Sequence, residues 1–191
     1  MIQKSKESIT IDGTKIGDNY EKKIDFRCSR IKIVVTDVDG VLTDGGIFYS
    51  KTGEIMKKFH TRDGMAIELL QNNNIKTIFM SRENSQIVKQ RAKKIKPTLT
   101  FFGILNKEKL LGKICKKFQV TKNEIAYVGD DINDLKIMEL VGFSATPNDG
   151  IEDVKKIAHY VCKRKGGEGV LREVADLILN SKKLMDKNDK A

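Results

Sequence analysis

Six residues, Ile31-Lys32-Ile33-Val34-Val35-Thr36, run directly into Asp37-Val38-Asp39-Gly40. The first stretch is β-branched and almost wholly apolar, which is the pattern of a strand buried on both faces of a parallel sheet. Such a strand demands helices on either side of it. The second stretch places two carboxylates two residues apart at the strand's carboxyl end, where open α/β sheets bind their ligands. Asp-Gly after a strand is also an ordinary turn signal. A carboxylate pair at that place has a chemical use as well: one acid can attack phosphorus while the other shuttles a proton.

The rest of the chain repeats the strand-then-helix alternation that builds a parallel sheet. Strands are predicted over 31–36, 75–80, 98–102, 125–129, 142–145 and 159–161. Helices are predicted over 63–73, 84–95, 107–118, 132–140, 151–157 and 168–180. Asp63 is a candidate N-cap for the first helix, and Pro97 closes the second. Val170, Leu171, Val174, Leu177 and Ile178 lie at helical spacing, as one core-facing stripe. Residues 46–60 interrupt the alternation as a two-stranded hairpin. Its apolar positions Ile47, Tyr49, Ile55 and Phe59 must fold back on the domain or meet another subunit. Residues 1–28 read as a polar N-terminal extension, either disordered or adding a short segment, and 181–191 as a charged, mobile tail. The domain proper is 29–180.

A chain of 191 residues with 39% hydrophobic content suits one domain with a single core. No apolar run is long enough to span a bilayer, and the first 25 residues lack an apolar signal core, so a cytoplasmic protein is expected. Cys28, Cys115 and Cys162 lack metal-ligand spacing. Cys115 and Cys162 read as buried or half-buried thiols in a reducing compartment. His60 and His159 have no Cys or His partner at ligand spacing, which argues against zinc. The net charge of +10 raises the question of nucleic acid, but the lysines are scattered and no recognition motif accompanies them. A positive field would equally draw a small anionic substrate. Met56, Met80 and Met138 read as core filler. Asn148-Asp149-Gly150 reads as a turn that frames the carboxyl end of a strand.

Four segments appear in order, each after a predicted strand: Asp37-Val38-Asp39-Gly40-Val41-Leu42-Thr43-Asp44-Gly45, Ser81-Arg82-Glu83-Asn84, Lys107, and Gly129-Asp130-Asp131-Ile132-Asn133-Asp134. Over roughly residues 30–180 the chain therefore resembles the haloacid-dehalogenase superfamily of phosphatases. Gly46-Ile47-Phe48-Tyr49, Gly53 to Phe59, Thr61-Arg62-Asp63-Gly64 and Gly166-Gly167-Glu168-Gly169 narrow this to the 3-deoxy-D-manno-octulosonate 8-phosphate phosphatases. The resemblance implies a Rossmann-like three-layer α/β sandwich with a mainly parallel sheet, a β-hairpin flap and no large cap domain. It also implies a homotetramer whose subunits cover one another's sites. Two departures point sideways within that group. Glu168 stands where the octulosonate enzymes usually carry arginine, and Ser81 is followed by Arg82-Glu83 rather than Gly-Arg. Glu83, Arg91 and Lys94 resemble positions that contact or shape the pocket in relatives acting on 2-keto-3-deoxynononate 9-phosphate. They also resemble the phosphatase-like domain attached to some CMP-sialate synthetases.

The same resemblance assigns roles. Asp37 is the nucleophile, already ionised at neutral pH, and forms an aspartyl-phosphate. Asp39 protonates the leaving oxygen and then activates water, a use that calls for neighbouring acids to keep a proton on it. Ser81 and nearby N–H groups receive the phosphate, and Lys107 binds a phosphoryl oxygen. Mg²⁺ is held by Asp37, the Asp39 carbonyl and Asp130, with Asp131 and Asp134 in the outer shell and Asp134 orienting Lys107. Thr61 and Arg62 contact substrate, or Arg62 faces a neighbouring subunit. Acids at a helix start are also favoured by the dipole alone, a lone Ser is usually a turn, and a lone Lys is usually solvated. The order of the four segments sets those readings aside. The leading expectation is a Mg²⁺-dependent phosphatase of a 2-keto-3-deoxy sugar acid, with nine-carbon acids (nononate or neuraminate 9-phosphate) ahead of the octulosonate. The competing readings are a non-catalytic oligomerisation or regulatory module partnering a CMP-sialate synthetase, a nucleic-acid 3′-phosphatase, and a phosphomutase, which would need a larger cap.

Overall fold

The structure, a computed structural model, describes residues 10–11 and 14–188, with side chains placed from 19 to 185. A short antiparallel pair, β1 (Thr10–Ile11) and β2 (Thr14–Lys15), leads into α1 (Ile16–Ser29). There follow β3 (Ile33–Thr36), a hairpin of β4 (Phe48–Ser50) and β5 (Gly53–Met56), α2 (Thr61–Asn72), β6 (Lys76–Met80), α3 (Gln86–Ile95) and β7 (Leu99–Phe101). A 3₁₀ turn (Lys107–Leu110) opens α4 (Leu111–Phe118). Then come β8 (Ile125–Val128), a second 3₁₀ turn (Ile132–Asp134) with α5 (Leu135–Met138), β9 (Phe143–Thr146), α6 (Glu152–Ile157), β10 (Tyr160–Val161) and α7 (Val170–Asn188).

The six main strands form one parallel sheet in the order β10-β9-β8-β3-β6-β7. β3 and β8 are buried at every position, as their unbroken apolar runs require. One core lies between the sheet and α1, α2 and α7, with Phe79, Val34, Leu70 and Leu171 in it. The other lies under α4, α5 and α6, with Tyr127, Ile78, Ile114 and Met138. This is the expected three-layer α/β sandwich. The first crossover leaves β3 and passes through the hairpin before entering α2, and an antiparallel bridge between Thr43 and Phe59 closes the hairpin's base.

Both chain ends carry helix; at the N-terminal end this is the second of the two alternatives, an added segment. Residues 16–28 are helical rather than an open extension, because Ile24 and Cys28 reach the core beside α7. Residues 1–9 and 12–13 lie outside the described residues. The tail reading of 181–191 gives way to continuation of α7 to Asn188, where buried Ser181 donates to Asp25 (2.6 Å) and Lys182 to the Ser29 carbonyl (2.6 Å). The last three residues also lie outside the described set.

Other local expectations are also corrected. Asp63 does not cap α2: the His60 Nδ1 accepts the Arg62 N–H (3.1 Å), and Asp63 sits inside the first turn, buried. Met56 is exposed, whereas Met80 and Met138 are core. His159 accepts the Ser144 N–H (3.0 Å) and so ties β9 to the segment before β10.

Candidate active site

The first loop leaves β3 at Asp37, whose N–H donates to the Val128 carbonyl (2.9 Å) across to β8. The loop then turns on Gly40 at φ +85°, a conformation that favours glycine. A Cβ there would sit 2.0 Å from Asp130 Oδ2, so the absent side chain lets the Asp130 carboxylate approach the loop. A similar restriction holds behind it: a Cβ on Gly166 would lie 2.1 Å from the Gly40 carbonyl oxygen. The Gly166 N–H donates to Asp149 (2.8 Å), and the Gly167 N–H donates to the Val41 carbonyl (3.0 Å). The C-terminal glycine segment thus braces the first loop from outside the cleft.

Lys107 is wholly buried. Its ammonium lies 2.7 Å from Asp37 Oδ2 and 2.6 Å from Asp134 Oδ1. Asp134 is saturated. Its Oδ1 also accepts the Tyr127 hydroxyl (2.6 Å), and its Oδ2 accepts the N–H groups of Asp130 (3.0 Å) and Asp131 (3.4 Å). Asp134 therefore orients Lys107 from behind, the role the resemblance implied. The Val38 N–H donates to Asp37 Oδ1 (2.7 Å). On the far wall, Ser81 is buried, and its hydroxyl accepts the Glu83 N–H (3.1 Å).

These residues open on a cleft of ≈ 290 Å³ lined by Asp37, Asp39, Ser81, Arg82, Glu83, Asp130, Asp131 and Asn133. Four residues predicted from sequence to meet substrate do not line this cleft within the single chain. Thr61 and Arg62 are exposed in the first turn of α2, and Lys94 is exposed on α3. Arg91 donates to the His60 carbonyl (3.1 Å) and stacks on Phe59 (5.6 Å), which props the exit of the hairpin.

Burial raises two of these acids. Burial pushes Asp37 up to about 7, with Asp134 adding to the effect and Lys107 opposing it. Burial raises Asp130 to about 8, with Asp37, Asp134 and Asp131 adding to it. One ammonium is too little positive charge to offset the burial of this many acids, so the site favours a further cation beside Asp37. Carboxylate oxygens of Asp37, Asp130 and Asp134 lie within 4.8 Å of one another, and Asp130 Oδ1 is buried without a partner. An all-oxygen donor set short of positive charge fits a hard divalent cation.

Asp39 departs from expectation as well. The group facing it is not another acid but an ammonium: Lys57, buried at the end of the hairpin, lies 2.7 Å from Asp39 Oδ1. Sequence reading missed Lys57 and Tyr127. A lysine in a hairpin and a tyrosine in a strand carry no local signal of such partners. Lys57 did stand one turn before Thr61-Arg62-Asp63-Gly64, but nothing in the sequence distinguished it from Lys58.

Comparison with known proteins agrees with this geometry. Residues 101–174 match the model of the haloacid dehalogenase-like hydrolases. A 3-deoxy-D-manno-octulosonate 8-phosphate phosphatase of Haemophilus influenzae is 38% identical over 155 residues, covering 81% of this chain and 86% of the relative. The cobalt-bound structure of the Haemophilus enzyme superposes with a TM-score of 0.79 at 38% identity, covering 82% of this chain and 92% of that one. The Moraxella catarrhalis octulosonate 8-phosphate phosphatase, solved with magnesium, phosphate and the sugar acid, superposes with a TM-score of 0.82 at 31% identity, over 88% and 97% of the two chains. With the first loop, the buried lysine and the acidic cluster assembled at the carboxyl end of the sheet, the chain belongs to the haloacid dehalogenase-like phosphatases, in the family of the 3-deoxy-D-manno-octulosonate 8-phosphate phosphatases.

Proposed function

We propose that this protein is a Mg²⁺-dependent phosphatase that removes the terminal phosphate of a 2-keto-3-deoxy sugar acid, nine-carbon acids being preferred to the octulosonate. The observation that carries the activity is Asp37, held by Lys107 on one oxygen and opening on the cleft beside Asp130. Asp37 would attack phosphorus in line with the departing sugar oxygen, giving an aspartyl-phosphate. Ser81 would donate its hydroxyl to a phosphoryl oxygen, and Lys107 would neutralise charge at the nucleophile. Asp39 would give its proton to the sugar oxygen and later take one from the attacking water. Asp37, the Asp39 carbonyl and Asp130 would hold Mg²⁺, which when bound supplies the positive charge the acids lack. Asp131 and Asp134 stay behind these ligands.

Glu83 supports the preference for a nine-carbon acid. It puts a hydrogen-bond acceptor for sugar hydroxyls on the cleft wall. The names of the matched relatives favour the octulosonate as second reading. The non-catalytic reading is disfavoured, because a scaffold has no need of a buried lysine between two acids at an open cleft.

The hairpin supports the tetramer. Tyr49 and Ile55 are 66% and 59% exposed, and Phe48, Met56 and Met65 stand open with them. A hairpin seated on its own chain at Lys57 and Phe59, with its apolar tip uncovered, is suited to pairing with other copies. That would also bring a neighbour's Arg62, Arg91 or Lys94 toward the cleft their own chain leaves them out of. Three unpaired cysteines suit the cytoplasm, and among the described residues no helix is long and apolar enough to cross a membrane.

The test is phosphate release with Mg²⁺ from octulosonate 8-phosphate, nononate 9-phosphate and N-acetylneuraminate 9-phosphate. A preference of tenfold or more for a nine-carbon acid is expected, to be lost in Glu83→Ala. Preference for the octulosonate overturns the specificity reading, and release from none of the three overturns the activity. Tyr49→Glu with Ile55→Glu should yield a monomer of impaired activity by light scattering and assay. A fully active monomer would sink the proposed assembly.

A further inference from the structure

The hairpin delivers one charged side chain into the interior. The side chain of Lys57 is completely buried, with its ammonium 2.7 Å from Asp39 Oδ1 and 3.6 Å from Glu54 Oε1. Glu54 Oε2 in turn accepts the Ser85 hydroxyl at 2.5 Å, and Ser85 caps the start of α3. Hairpin, first loop and α3 are thus joined through one lysine. Burying an ammonium is costly unless it is paired, so this group holds its place only while Asp39 and Glu54 hold it. The effect on Asp39 is asymmetric: Oδ1 is taken, while Oδ2 is buried and has no partner. Asp39 lines the cleft, and Oδ2, just beneath its surface and without a partner in the chain, is the oxygen free to exchange a proton.

We propose that Lys57 is a positioning residue for proton transfer. It anchors Asp39 by Oδ1 and thereby presents Oδ2 to the departing oxygen. The inference rests on the reading of Asp39 as acid and base. In the step concerned, the Asp37 oxygen–phosphorus bond forms, the phosphorus–sugar oxygen bond breaks, and the Asp39 Oδ2 proton passes to that sugar oxygen. Lys57 neither gains nor loses a proton. Because the hairpin carries Lys57, the proton-transfer geometry also depends on the hairpin being seated.

Two substrates separate positioning from mere support. Glycerol phosphate leaves as an alkoxide that needs a proton, whereas p-nitrophenyl phosphate leaves as a stable phenolate that does not. Lys57→Met should lower kcat for glycerol phosphate on the order of 10²-fold, with KM little changed, and lower p-nitrophenyl phosphate turnover only a few-fold. Lys57→Arg should recover at least a tenth of the lost alkyl turnover. Glu54→Gln, which keeps the charge on Asp39's partner, should show the same selectivity more weakly, and it serves if Lys57→Met does not fold. Equal losses on both substrates, or none on either, overturn the proposal. Asp39→Ala is run in parallel. If it spares glycerol phosphate, the acid–base reading of Asp39 itself has failed. If it shows the selective loss while Lys57→Met does not, only the role of Lys57 has failed.

Discussion

Two buried lysines hold the two aspartates of the first loop, and they come from unlike parts of the molecule. Lys107 sits on the 3₁₀ turn before α4, inside the domain, and is fixed by Asp37 and by Asp134 with Tyr127 behind it. Lys57 leaves an exposed hairpin whose own apolar side chains are uncovered. The side of the cleft proposed to handle phosphate is therefore built into the sheet, with its partners supplied by the domain core. The leaving-group side hangs on an element with little core of its own. The difference teaches that one cleft can join a half fixed by the domain core with a half supplied by an exposed hairpin.

The comparison can be broken most sharply at Lys107. Lys107→Met should lower kcat on the order of 10² to 10³-fold on alkyl and aryl phosphates alike, unlike Lys57→Met. It should also destabilise the fold by about 3–5 kcal/mol, because it strands two buried carboxylates. Steady-state kinetics with both substrates and urea unfolding measure the two effects. Selectivity for the alkyl substrate would erase the distinction between the two lysines.

Asp63 sharpens the comparison from outside the cleft. It is a buried acid whose Oδ1 accepts the Arg172 N–H (3.1 Å) at the start of α7, and no ammonium is paired with it. Burial raises it to about 6, with the Arg172 and Leu171 N–H groups and then Arg91 and Arg164 opposing. A carboxyl raised above its unfolded value binds protons more readily when folded. Its ionisation therefore costs stability that is fully charged above pH 6 and relieved as pH falls toward 4. A rise of about two units corresponds to about 3 kcal/mol. Asp63→Asn, which keeps an acceptor for Arg172, should flatten the decline in stability between pH 4 and 6, as followed by urea unfolding across that range. An unchanged slope would show that burial there carries no such cost.

The smallest effect concerns the cation. Mg²⁺ at a hundred times its dissociation constant should stabilise the protein by about 2.7 kcal/mol, and EDTA should reverse it. For a chain of this size that is a rise in Tm of roughly 5–10 °C, readable by calorimetry without any substrate. The effect should vanish in Asp130→Asn and survive in Lys57→Met, which places the cation on the side fixed by the domain core. A Tm indifferent to Mg²⁺ would remove the cation from the acidic cluster.

Asp37, Ser81, Lys107 and Asp130 were legible because each follows an apolar β-branched strand. A parallel sheet places the ends of its strands on one edge whatever the rest of the chain does. Gly40 read from sequence only as a turn; that a Cβ there would collide with Asp130 is visible only in the structure. For Arg91 and Lys94 the sequence gives their helix but not the direction its faces take in the single chain. Arg91 turns to Phe59 and His60, and Lys94 to solvent. The ends of the chain were less legible because their polarity hid the few anchors that matter, Ile24, Cys28 and Ser181.

By itself the sequence determined the alternating α/β architecture, the edge where chemistry occurs and the acids and lysine that gather there. These follow from local periodicity and from the order of strands and loops. Only the tertiary structure decided which oxygen of each aspartate is held and which is free, that Lys57 rather than a second acid faces Asp39, and that one ammonium leaves the acidic cluster short of positive charge. Those properties depend on distances of a few ångströms between residues far apart in the chain. They depend also on burial that strengthens charge interactions, and neither is written in the spacing of any one segment.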